Sequence, residues 1–78
     1  MDILVEIPID AYLLCIAMLK LRSPEYLLLR NGIIVSNEQG DRVLQILCNA
    51  NSAHRIINII SDVCPEFSSK IRQYPNSP

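Results

Sequence analysis

The stretch from Gly32 to Cys64 constrains the fold more than any other part of the chain. Gly32-Ile33-Ile34-Val35 precedes a turn at Glu38-Gln39-Gly40-Asp41, and Arg42-Val43-Leu44-Gln45-Ile46-Leu47-Cys48 follows it, the pattern of a β-hairpin. Gly40 can take the positive φ that a short hairpin loop requires. Asn51-Ser52 then leads into a helix from Ala53 to Cys64, with Ser52 as the N-cap whose hydroxyl accepts a free backbone N–H. Ala53, Ile56, Ile57, Ile60, Val63 and Cys64 recur at helical spacing, with His54, Arg55, Asn58, Ser61 and Asp62 between them. A helix with one apolar stripe needs a sheet to cover.

Before the hairpin, Ile3, Val5 and Ile7 alternate with Leu4, Glu6 and Pro8, as in a strand over residues 2 to 8. Pro8 has no N–H for a ladder, so it belongs at the strand's end. Asp10 suits the N-cap of a helix from Ala11 to Leu21, and Ala11 to Leu19 carries no charge. A helix apolar all round is either central or covered by a second molecule. Ser23-Pro24-Glu25 has the form of a helix start and Asn31-Gly32 of a stop, which predicts a short helix over Tyr26 to Arg30; a strand over Tyr26 to Leu29 is the competing reading. Pro65 ends the long helix or opens a short turn through Glu66 to Ser69. Residues 70 to 74 can add an edge strand with Ile71 facing in, and 75 to 78 read as a disordered tail after a single domain of residues 1 to 74.

This order, strand, helix, hairpin, helix and final strand, resembles the ferredoxin-like split βαβ sandwich, with an extra short helix inserted. The fold expected is therefore α+β, a small antiparallel sheet with helices on one face. That resemblance implies no activity, because the architecture carries many unrelated functions.

Composition bears on partners and compartment. The formal net charge is −1 and the basic residues are scattered, which argues against nucleic acid. The longest apolar run falls far short of the roughly 20 residues that span a bilayer, so no membrane partner is expected. Cys15, Cys48 and Cys64 cannot all pair within one chain, and the Met-Asp start has no basic leader; free thiols and a cytoplasmic setting are the expectation.

The residues offer little chemistry. No C-x-x-C motif, glycine-rich phosphate loop or close carboxylate pair occurs, so no catalytic residue, metal or cofactor is expected. Cys48 and His54 form the one candidate reactive pair, a thiol ahead of a helix N-terminus with an imidazole in its first turn. Cys64 lies about 15 Å from His54 by helix rise and cannot share a metal with it. Buried cysteines and a surface histidine are the plainer reading.

Strand alternation leaves apolar side chains on both faces of the sheet. With Ile33, Val35, Leu44, Ile46 and Cys48 turned to the helices, Leu4, Ile34, Val43 and Leu47 fall on the opposite face, among Glu6, Ser36 and Gln45. No further helix remains to cover them. The functional expectation is a small interaction or regulatory module, a homodimer through that face that binds a protein or small ligand. The alternatives are a small enzyme with a pocket at the subunit boundary near Cys48 and His54, and a DNA-binding regulator of the antitoxin type using Arg22, Arg30 and Arg55.

Overall fold

The alternation of the first strand is realised in β1 (Asp2–Pro8), where Val5 and Ile7 are fully buried while Leu4 and Glu6 are half-buried on the other side. The computed structural model describes residues 2–22 and 25–76. α1 (Ile9–Arg22) follows Pro8 with no linking residue and places Asp10 in its first turn, two residues earlier than the expected helix start. α2 (Tyr26–Arg30) is helical, as the Asn31-Gly32 stop indicated; Ser23 and Pro24, the expected start signal, lie outside the described residues. Gly32 then lets two strands close up, because a Cβ there would sit 2.8 Å from Leu44 Cδ1.

β2 (Ile33–Ser36) and β3 (Arg42–Asn49) form the hairpin. Gly40 has φ 83°, the left-handed conformation expected of it. Asn37 completes the turn: its side-chain oxygen accepts from the N–H groups of Gln39 at 3.0 Å and Asp41 at 2.9 Å. α3 (Ala50–Val63) begins three residues before the expected Ala53, with Asn49 rather than Ser52 as cap; the Asn49 side chain accepts a 2.8 Å bond from the Ser52 N–H. A 3₁₀ helix (Pro65–Lys70) leads to β4 (Arg72–Asn76), so Ile71 caps a helix instead of lying in a strand. Pairing of β1 with β4 runs through Pro75 and Asn76, two residues into the expected tail; Ser77 and Pro78 lie outside the described residues.

The chain is α+β. Its four strands form one antiparallel sheet in the order β2-β3-β1-β4. Val5, Ile7, Leu44, Ile46 and Cys48 make the sheet side of the core, and Ala11 and Cys15 from α1, Leu29 from α2 and Ala53, Ile56 and Ile60 from α3 meet them. All the helical layer thus lies on one side of the sheet. Among the described residues, no helix is long and apolar enough to cross a membrane.

Two contacts tie the helices to each other. Arg55 on α3 makes a 3.3 Å ion pair with Glu25, a buried carboxylate at the N-cap of α2. Cys15 of α1 and Cys64 at the C-cap of α3 are joined as a disulfide pair, which leaves Cys48 as the free, buried thiol. Three free thiols were the expectation from counting. The correction follows from packing, since both residues fall where α1 and α3 turn inward, and it removes the basis that an unpaired count gave for naming a compartment.

Candidate functional site

In an antiparallel ladder, residues directly opposite one another share a face. That rule maps the side of the sheet away from the helices. Leu4 lies between Leu47 of β3 and Tyr74 of β4. Glu6 lies between Gln45 and Arg72, and Ile33 of β2 extends that row. Val43 lies between Pro8 and Val35. The open face therefore has an apolar row at Leu4, Leu47 and Tyr74, bordered on one side by Asp2 and Asn49 and on the other by the row of Ile33, Gln45, Glu6 and Arg72, where the Gln45 side-chain amide donates to Glu6 Oε2 at 2.8 Å.

Exposure shows which of these side chains stay in solvent. Ile33, Leu47 and Tyr74 are 66%, 50% and 43% exposed, high values for large apolar groups gathered on one surface. Val43 is only 6% exposed, so little of it is open to solvent.

Of the four expected face residues, Leu4, Val43 and Leu47 share this side, and Ile34 does not. Ile34 pairs with Leu44, which faces the helices, while Ile33 and Val35 take the open side. The cause is turn length. A four-residue turn over Glu38 to Asp41 would pair Asn37 with Arg42, whereas the observed ladder pairs Ser36 with Arg42 and leaves Asn37 inside the loop. One residue of slip turns every β2 side chain over. Ile33, Val35 and Tyr74 were missed for that reason and because β4 was set too early; Asn37, a residue that closes turns through its side chain, was the available signal.

Cys48 and His54 do not form a site. Cys48 points into the core, and burial, with a smaller contribution from the Asp2 charge, pushes its thiol pKa up and away from the reactive thiolate. His54 is exposed on α3, and no hydrogen bond joins the two among the described residues. The proposed basic face is likewise dispersed: Arg55 is held by Glu25, Arg30 lies in the last turn of α2, and the Arg22 side chain is outside the described residues. Leu13 and Leu14 on α1 and Leu27 on α2 are also exposed, each by more than 60%. Compared with protein-family models, with curated proteins and with solved structures, the chain matches none.

Proposed function

We propose that the chain is a small interaction module that works as a homodimer, two copies stacking the open faces of their sheets. The observation that carries this reading is the exposed set Ile33, Leu47 and Tyr74 around the Glu6–Gln45 hydrogen bond. With the two-fold axis parallel to the strands, like ends meet, and the order β2-β3-β1-β4 sets Glu6 of one copy over Gln45 of the other and Arg72 over Ile33. The acceptor Glu6 thus meets the amide donor of the second copy, a polar match that favours a second copy over an unrelated apolar partner.

Size sets the strength expected. Four strands about 4.8 Å apart and about 17 Å long give a face of roughly 300 Å² in projection, so two stacked copies hide on the order of 600 Å². At about 25 cal/mol per Å² that supplies about 15 kcal/mol, against an association cost of about 4 to 15 kcal/mol. The balance, about 0 to 11 kcal/mol, permits a weak, concentration-dependent dimer, and so small an area fits a transient contact rather than an obligate one. For the architecture, we propose the ferredoxin-like split βαβ class: each of the two strand-helix-strand crossovers, β1 to β2 and β3 to β4, passes over one intervening strand.

Sedimentation equilibrium of the unmodified chain over a concentration series tests the dimer. A monomer-dimer equilibrium in the micromolar range is expected, and Leu47→Lys with Ile33→Lys should leave a folded monomer. A chain that is monomeric at hundreds of micromolar would sink the proposal.

A further inference from the structure

We propose that a polar cavity at the hairpin-turn end of the sheet binds a small phosphate monoester with hydroxyl groups on its body. The cavity has a volume of about 470 Å³. It lies at the opposite end of β3 from Cys48, and neither Cys48 nor His54 lines it. Two parts of the chain that are far apart in sequence line it with cations: Arg42 at the start of β3, and Lys70 and Arg72, which flank Ile71 between the 3₁₀ helix and β4.

Among the described residues none of the three is held in an ion pair. Among the described residues the Arg55–Glu25 contact is the one ion pair, and Lys70 instead places its Nζ 5.9 Å from the centre of the Phe67 ring. Asp10 and Asp41 also line the cavity, so its charge is three positive against two negative, or +1, in a chain whose formal net charge is −1. That local excess of positive charge favours an anion over a cation as the occupant. α1 starts at the same rim, and its first N–H groups add positive partial charge.

The class of anion follows from the rest of the lining. Two arginine forks and an ammonium suit a phosphate dianion, which accepts several charge-assisted hydrogen bonds at once. Inorganic phosphate alone would leave much of a cavity this size empty, since small-molecule pockets begin at about 300 Å³. Asp10 and Asp41 accept hydrogen bonds and repel further anionic groups, so the body of the ligand must present donors there; hydroxyls on a short carbon chain or sugar ring meet that demand. Pro8 and Val43 add an apolar patch for its carbon face. Pro8, Val43 and Arg72 belong to the open sheet face as well, so the cavity borders the surface proposed for the dimer, while Arg42 and Lys70 lie off it.

An amide-resolved NMR titration of the full chain with ribose 5-phosphate, inorganic phosphate and ribose tests this. Ribose 5-phosphate should shift the amides of Asn37 to Arg42 and Lys70 to Arg72 saturably at or below millimolar concentration. Inorganic phosphate should bind at least about tenfold more weakly, and ribose should leave the spectrum unchanged. Arg42→Ala with Lys70→Ala, both exposed and off the open sheet face, should weaken ribose 5-phosphate by at least about tenfold. Its dispersed spectrum and sedimentation behaviour should not change, which separates this site from the dimer. Linear, unsaturated shifts to tens of millimolar, or equal affinity in the double variant, overturn the site. Equal affinity for inorganic phosphate and ribose 5-phosphate overturns the ester assignment.

Discussion

Glu6 accepts a 2.8 Å hydrogen bond from the side-chain amide of Gln45 across β1 and β3, in the middle of the open sheet face. Glu6→Ala should cost about 1 kcal/mol by leaving a half-buried amide without its partner. Replacing both by leucine leaves Arg72 as the one charged side chain of that row. That double variant should keep its stability in urea unfolding yet associate more tightly, by at least about fivefold in sedimentation equilibrium, and lose its defined dimer for larger aggregates.

The two glycines should respond to substitution for different reasons. Gly40→Val places a branched side chain at φ 83° with open space around it, so its cost of about 1 to 2 kcal/mol is conformational. Gly32→Ala instead meets the Leu44 side chain at 2.8 Å and the Gln45 carbonyl oxygen at 3.0 Å, and should cost about 1 to 3 kcal/mol through displaced packing. Gln39→Ala beside the turn should be near neutral. Denaturant midpoints of the three variants decide; a Gln39→Ala loss equal to that of Gly40→Val would contradict the turn.

Burial raises the Cys48 thiol pKa, so the folded chain holds that proton more tightly than the unfolded one. The stability this contributes is complete below the unfolded thiol pKa of about 8.5 and is lost as pH rises toward the folded value. Unfolding free energy should therefore decline above about pH 8.5 more steeply for the parent chain than for Cys48→Ala. Parallel curves for the two proteins would show that the thiol is not shielded.

Cys15 and Cys64 are 49 residues apart in sequence, and their pairing closes a loop of that length. Under non-reducing denaturing conditions a thiol reagent should modify one cysteine, Cys48, with the other two becoming available only after reduction. In the chain-entropy account a loop of this size is worth about 4 kcal/mol, so reductant should lower the unfolding free energy by up to that amount. Three reactive thiols before reduction would exclude the pair.

The parts of the fold that were legible in the sequence are those set by local pattern. Ile3, Val5 and Ile7 alternate cleanly, Gly40 marks its turn, and the Ala53, Ile56 and Ile60 stripe names the buried side of α3. The side taken by β2 was not legible, because Ile33, Ile34 and Val35 are all apolar and carry no alternation of their own; only the loop length could orient them. The cap of α3 was ambiguous for a similar reason, since Asn49, Asn51 and Ser52 are all capable and the choice depends on where β3 stops. Glu25 with Arg55, Cys15 with Cys64, and the convergence of Arg42, Lys70 and Arg72 are tertiary facts. No single stretch of the chain contains them.

The position of β1 makes it the hinge of the whole ladder. It lies between β3, the second arm of the hairpin, and β4, which has β1 as its one neighbour among the described residues. Its nearest pairing in sequence, Pro8 with Val43, already spans 35 residues (43 − 8), so the strand that joins the two halves of the sheet is held wholly by long-range contacts. Damage to β1 therefore parts the hairpin from β4, whereas damage to β4 leaves the other three strands paired.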